Sequence, residues 1–359
     1  MPPAGRELLK NVAFSLVPLL VLVGLAEGLI RAAGWADSPI APMTLDGEAA
    51  GLMHLDEELF WSLEPSKTRE HEGVTVHTNS LGLRSPEVGE KRPDEFRVLS
   101  LGESSTFGVG VGDHETYSWF LEQFLDTAAG RDRFSVINAG VPAYSSFQSL
   151  KYLELRGLDL EPDLVLFYHE GNDFLPSYLR ASDNSVIGMN LSDPERYADR
   201  LRRTHRKLLA WSAVYRFARY RLALASIEKY QESAAHAKRP TWDVQMGDEK
   251  RTLKFPFRVR SEERSRVFAE LVALTREHGI GLVVYHPSYR GSIPHECLIT
   301  EFCRRSDVPM IDTQDLLHLP DGTKLFWDLM HPTPFGHLRI AEATFNFLVE
   351  NGLVPTPSP

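Results

Sequence analysis

From Arg92 to the C-terminus, apolar runs of strand length alternate with segments of helical periodicity, and this alternation constrains the fold more than any other feature of the chain. Such a pattern belongs to βαβ units, whose strands lie parallel in a sheet covered by helices. Phe96 to Leu101 (FRVLSL) reads as a strand, and Tyr117, Phe120, Leu121, Phe124 and Leu125 recur at the spacing of one helix face. Ser135 to Ala139 is a second strand and Ser145 to Leu158 a second helix. Leu164 to Tyr168 (LVLFY) is apolar throughout, as expected of a central strand buried on both faces. The rhythm resumes with a helix over 262–278, a strand over Gly281 to Tyr285, a helix over 294–305, a strand over Val308 to Ile311 and a closing helix at 335–351.

The chain has enough apolar material for such a core, at 43% of 359 residues, and 25% of its residues are charged. These proportions exclude disordered, collagen-like and coiled-coil classes. A net charge of −10 excludes a general nucleic-acid binder, which needs a basic footprint. The two cysteines, Cys297 and Cys303, would stand about 9 Å apart on one helix, too far for a disulfide. No Cys/His array has zinc spacing, so neither a metal nor a cofactor is expected.

Ahead of this region, Val12 to Ala26 carry no charge, and extending the run to Ile30 admits only Glu27. That is close to the length of a membrane-spanning helix. Arg6 and Lys10 precede it and Arg31 follows it, while the region beyond turns acidic with Asp37, Asp46, Asp56, Glu57 and Glu58. The positive-inside bias then puts the N-terminus in the cytoplasm and the rest on the extracytoplasmic, periplasmic side. A cleaved signal peptide, ending near Gly24-Leu25-Ala26, is the rival reading, and a buried soluble helix is a third. The expected organisation is an anchor over 1–35, a membrane-proximal connector over 36–91 with a short strand or hairpin in 73–91, and an α/β domain over 92–359 interrupted by a helical insertion at 175–255. Within the insertion, Arg196 to Arg221 hold nine Lys/Arg against one acid, Asp199. Leu201, Leu208, Trp211, Tyr215, Ala218 and Leu222 recur at helical spacing there, predicting a basic amphipathic helix packed by its apolar stripe onto the sheet domain. A lid, a contact with anionic headgroups and a groove for anionic polysaccharide are its other readings.

Four strand-end clusters carry candidate chemistry. Gly102-Glu103-Ser104-Ser105-Thr106 follows the first strand and puts a hydroxyl where open α/β sheets bind ligands. Asn138-Ala139-Gly140-Val141-Pro142 ends the next strand, and its glycine permits close backbone approach with a presented N–H. Gly171-Asn172-Asp173 follows LVLFY, and the Asn172 amide is a neutral donor suited to a developing oxyanion. In Asp328-Leu329-Met330-His331-Pro332, an Asp three residues before a His bends back in one turn, fixes the imidazole tautomer and leaves Nε2 free to take a serine proton. Taken singly, each cluster is more often a turn, a cap or a surface pair than a site.

Together and in this order, the four clusters resemble the hallmark blocks of the SGNH (GDSL-type) hydrolases. The likeness covers about 92–174 and 256–353, and the stretch HTNSLGLRSPE with the basic helix resembles a bacterial membrane-anchored subgroup. The resemblance implies a three-layer α/β/α, flavodoxin-like domain with Ser104 as nucleophile, His331 as base and Asp328 orienting it. The Ser104 and Gly140 N–H groups and the Asn172 side chain would then form the oxyanion hole. It further implies an envelope esterase or deacylase that hydrolyses an O-acyl ester, such as an O-acetyl ester, of a small molecule or glycan through an acyl-enzyme. The alternatives are an envelope glycan O-acyltransferase using the same residues, and a catalytically silent scaffold or glycan-binding module. Two departures stand out: Gly-Glu-Ser replaces the usual Gly-Asp-Ser, the extra methylene of Glu103 bearing on the loop beside the nucleophile, and Glu170 stands where glycine often precedes the Asn block. Gly108-Val109-Gly110-Val111-Gly112 does not match a dinucleotide fingerprint, because its third glycine is misplaced. His337 is expected on the solvent face of the last helix, while His169 and His286, at strand ends, are candidates to line the pocket.

Overall fold

The computed structural model describes residues 3–36, 51–71, 74–177, 190–198, 208, 211–232, 241–246, 249–287, 298–313 and 324–355. In chain order, α1 (Pro3–Ala32) is followed by two short hairpins, β1 (Met53–Asp56) with β2 (Phe60–Leu63) and β3 (Thr68–His71) with β4 (Val74–His77). Then come β5 (Phe96–Gly102), α2 (Ser104–Phe107), α3 (Tyr117–Ala129), β6 (Phe134–Gly140), α4 (Ser146–Tyr152) and β7 (Leu164–Tyr168). Next are α5 (Asp193–Ala198), α6 (Ala213–Glu232), β8 (Thr241–Met246) and β9 (Glu249–Lys254). The chain closes with α7 (Ser261–Glu277), β10 (Gly281–His286), α8 (Leu298–Ser306), β11 (Met310–Asp312) and α9 (Pro334–Glu350). Two compact units result. One holds Met1–Pro42, Asn184–Asn190 and Glu195–Phe255, and the other holds the remainder.

The larger unit is built on a five-stranded sheet of order β11-β10-β7-β5-β6, parallel at every pairing. β7 is buried at all five positions, as its unbroken apolar run requires. Leu164, Leu166 and Tyr168 face a core shared with Leu121 and Leu125 of α3 and with Ile340, Ala341 and Leu348 of α9. Phe167 points to the opposite face, where its ring meets Phe268 of α7 edge-on at 5.7 Å. Alternate residues of one strand thus serve two helical layers, which makes the domain α/β/α. Relative to chain order the strands run 2-1-3-4-5, the flavodoxin-like order, with its switch point beside β5. The crevice for a ligand therefore opens at the C-terminal ends of β5 and β7, where Ser104 and Asn172 stand.

The elements lie close to their expected positions, with two instructive differences. The helix read over Ser145–Leu158 is regular only to Tyr152, then widens into a π-turn over Leu153–Gly157 and tightens into a 3₁₀ turn over Leu158–Leu160. The stretch read as a connector contains the β1–β2 hairpin, with Leu52, Leu59 and Trp61 essentially fully buried. Trp61 Nε1 donates to the Pro142 carbonyl at 3.1 Å, the Tyr144 hydroxyl to the Trp61 carbonyl at 2.7 Å, and Arg156 pairs with Asp56 at 2.5 Å. These residues belong to the same compact unit as the sheet.

In the smaller unit α1 and α6 pair through Ile30, Ala36 and Ala213, with Val214 and Phe217 against them. The lone acid of the apolar run explains its own position. Glu27 accepts the Ala213 and Val214 N–H groups at 2.7 and 3.0 Å and the Ser212 hydroxyl at 3.0 Å, so it caps the start of α6 from another helix. The basic segment is not one continuous helix. Ser212 is non-helical, and its hydroxyl accepts the Tyr215 N–H at 3.2 Å, so α6 starts afresh behind it. Trp211 and Leu222 stand in solvent at 83% and 62% exposure, so these two members of the expected apolar stripe are unpacked; Leu201 falls outside the described residues. Among the described residues no helix is long and apolar enough to cross a membrane. In α1, side chains are described for Phe14 and from Leu16 onward, and the large apolar ones from Phe14 to Leu25, with Leu29, are exposed.

Candidate active site

β5 ends at Gly102, and the chain turns at once into the single helical turn of α2, which begins with Ser104. A side chain at Gly102 would collide with Thr106 and the Tyr168 carbonyl. Register places Gly102 beside Gly140 of β6, and the backbone of α2 rests directly on that second glycine: a Cβ there would stand 2.3 Å from the Phe107 nitrogen. The turn thus presses α2, with Ser104 at its start, onto the sheet end. Asn138 fastens it further, donating from Nδ2 to the Thr106 carbonyl at 2.8 Å.

His331 arrives on the loop between Leu325 and Thr333. An isolated bridge joins Phe326 to Pro332, Trp327 N–H donates to the His331 carbonyl at 2.8 Å, and Thr333 N–H to the Leu325 carbonyl at 2.9 Å. At its tip, Asp328 Oδ1 accepts the Met330 and His331 N–H groups at 2.8 and 2.9 Å, and Oδ2 meets His331 Nδ1 at 2.6 Å. His331 Nε2 lies 2.8 Å from Ser104 Oγ. Partial burial pushes the Asp328 carboxyl up, but the two backbone donors and the imidazole outweigh it and hold the group below its ordinary value. With Asp328 ionised, Nδ1 carries the proton and Nε2 accepts from the serine. Ser104, His331 and Asp328, the first two 227 residues apart in sequence, therefore form one continuous Oγ–imidazole–carboxylate line.

Asn172 sits in a 3₁₀ turn straight after β7 and is buried. Its Nδ2 donates to the Tyr144 carbonyl at 3.0 Å, which occupies one amide hydrogen and leaves the second for another acceptor. Its own N–H donates to Glu103 Oε2 at 3.3 Å, so the longer glutamate side chain ties the nucleophile's turn to the Asn172 turn. Gly140 departs from its expected role. Its N–H donates to Asn138 Oδ1 at 3.0 Å, an Asx-type turn, so the glycine answers a steric need and not the need of an oxyanion.

The sequence analysis missed Ala143. It adopts φ +62°, costly for a residue with a Cβ, and is buried beside the Tyr144 carbonyl that Asn172 holds. Arg258, fully buried, keeps the loop in this shape by donating to the Ala143 carbonyl and to Gln148 Oε1, each at 2.5 Å, with Asp193 at 2.9 Å as its counter-ion. No local pattern in the chain marks Arg258, because its partners lie 65 to 115 residues away. The histidines also differ from expectation. His337 is fully buried, accepts the Tyr117 N–H at 3.2 Å and stacks on the Tyr117 ring. His169 is buried against Ser149 at 2.7 Å. Burial holds both imidazoles at about 3, neutral. His286 is buried with Asp312 at 3.4 Å. Cys303 is a buried free thiol, and Cys297 lies outside the described residues. Among the described residues no group of His, Cys, Asp or Glu is placed to hold a metal ion.

No family model and no curated protein matches the chain. Solved structures similar to it include LAE5, an alpha/beta hydrolase enzyme from the metagenome of Lake Arreo, Spain. That likeness has 17% identity over 73% of this chain and 97% of that one, with a TM-score of 0.41. The acetyl xylan esterase AlAXEase is similar at 14% identity over 70% and 98% of the two chains, TM-score 0.41. A variant of Axe2, an acetyl-xylooligosaccharide esterase from Geobacillus Stearmophilus, is similar at 16% identity over 75% and 100%, TM-score 0.41.

Proposed function

We propose that the chain is an SGNH-type serine hydrolase of carboxylic esters, held at the outer face of a cytoplasmic membrane. The observation that carries this reading is the line from Asp328 through His331 to Ser104 at 2.6 and 2.8 Å, at the switch point of the sheet. Ser104 Oγ attacks the ester carbonyl while its proton passes to His331 Nε2. The carbonyl oxygen, now an oxyanion, is met by the Ser104 N–H, the second Nδ2 hydrogen of Asn172 and the N–H of Ala143 in place of Gly140. Collapse expels the alcohol, which takes the proton from His331, and leaves an acyl-Ser104. Water, deprotonated by the same imidazole, then releases the acid.

An O-acetyl ester of an envelope glycan or small molecule is the substrate we infer, and we read the N-terminal apolar run as the anchor that puts the domain on the periplasmic side. What supports the anchor is the exposure of Leu19, Leu20, Val21, Leu22, Val23 and Leu25 on successive faces of α1, together with the basic residues before the run and the acidic ones after it. The test is turnover of a short-chain nitrophenyl ester, with fluorophosphonate labelling and mapping of the labelled peptide. The adduct is expected on Ser104, and Ser104→Ala is expected to lose both labelling and turnover; wild-type turnover by that variant overturns the reading. Adding a sugar acceptor and weighing transfer against hydrolysis decides between esterase and acyltransferase, and carbonate extraction of membranes tests the anchor.

A further inference from the structure

Two serines stand side by side at the start of α2, and only one of them faces the base. The Ser105 hydroxyl donates to the Met330 carbonyl at 2.9 Å, and Met330 immediately precedes His331. Ser105 is buried at 1% exposure and Met330 is half-buried, so this bond is partly shielded from competing water. The bonds at the neck of the 325–333 loop are internal to it: they set its shape and not its distance from α2. The Ser105 bond crosses the seam. A second contact crosses the seam further along, where the Trp327 indole covers Gly110. A Cβ built at Gly110 would stand 3.1 Å from the indole Nε1 and 3.2 Å from Cδ1, at a residue whose φ is +79°.

We infer that Ser105 is a positioning residue whose hydroxyl, with Trp327 against Gly110 as the second point of contact, sets the distance between His331 Nε2 and Ser104 Oγ. The inference rests on the ester-hydrolase reading and goes beyond it. The nucleophile's helix and the base's loop come from opposite ends of the unit, separated by more than 200 residues. Their alignment needs a tie on both sides of the reacting pair, because the 2.8 Å bond between them must break and reform during each turnover. A tie through the adjacent serine places the constraint one residue from each partner.

Ser105→Ala removes the hydroxyl with almost no change of volume. It is expected to lower kcat on a nitrophenyl acetate about 10- to 100-fold, the scale of a misplacement near 1 Å, with KM within about twofold of wild type. Trp327→Ala, at a side chain already 47% exposed, is expected to move kcat in the same direction. A structural role would lower activity in any background, whereas a positioning role acts through the imidazole. Ser105→Ala should therefore cause no further loss in residual rate or probe labelling when added to His331→Ala. An unchanged kcat, a loss confined to KM, or an equal loss in the His331→Ala background each overturns the inference. If the wild type neither turns over esters nor takes the probe, the hydrolase reading fails. The positioning claim is then read from the downfield proton resonance of the His331–Asp328 bond, expected to broaden in Ser105→Ala and overturned if it persists unchanged.

Discussion

Gly140→Ala separates two reasons for a glycine at the end of β6. If the residue were there only to present its N–H, alanine would keep that N–H and change little. The structure requires more. The new methyl would stand 2.3 Å from the Phe107 nitrogen, 2.8 Å from the Thr106 carbonyl carbon and 2.9 Å from the Phe107 Cα, all backbone atoms of α2. Ordinary contact begins at 3.4 Å, so helix and strand must part by about 1 Å. No flexible side chain can absorb the shift, because every atom met is main chain. An overpacked core contact costs about 1–3 kcal/mol, and one against fixed backbone belongs at the upper end, about 3 kcal/mol. For a unit of this size that lowers Tm by roughly 6–12 °C. The same movement carries Ser104 off its 2.8 Å bond to His331, for which about a hundredfold loss of kcat is expected. Thermal unfolding and steady-state hydrolysis of a short nitrophenyl ester read the two effects. A variant with wild-type Tm and kcat would show that α2 does not press on Gly140, and the packing argument would fall.

Asn172→Ala removes the proposed oxyanion donor and the bond to the Tyr144 carbonyl. It should lower kcat about 10²–10³-fold, near 3 kcal/mol of transition-state stabilisation, with KM little changed in steady-state assays. Glu122 accepts the Val136 N–H at 2.7 Å, and burial pushes its carboxyl up to about 7. A raised folded pKa contributes stability below the unfolded value of 4.5 that is lost as pH rises through 7. Glu122→Gln should therefore gain on wild type by about 2 kcal/mol between pH 4.5 and 8, discounted for its partial exposure, as measured by urea unfolding at each pH. A constant difference across that range would show that Glu122 ionises freely.

Much of the site is legible in the chain because its logic is local. The Asp328-x-x-His331 spacing closes its own turn, with the backbone donors of Met330 and His331 folding the carboxylate back onto the imidazole. Ser104 and Asn172 stand two and four residues beyond strands whose apolar runs are unmistakable. Gly140 was legible as a glycine that mattered, but its reason was not, since the atoms that forbid a side chain belong to α2 on another strand's end. Ala143 carries no glycine to betray its φ of +62°, and Arg258, which stabilises it, comes from a distant stretch.

The sequence by itself determined the alternation of strands and helices, the order of the four clusters and the apolar character of the N-terminal run. These depend on periodicity and short-range hydrogen bonding, which neighbouring residues carry between them. Only the tertiary structure decided which polar groups are buried and whom they face. His337 is the clearest case: helical position alone put it toward water, yet the Tyr117 ring and backbone enclose it. The β1–β2 hairpin is another, its short segments held by Pro142, Tyr144, Gln148 and Arg156. Burial is a sum over contacts from distant parts of the chain, and no window of sequence contains that sum.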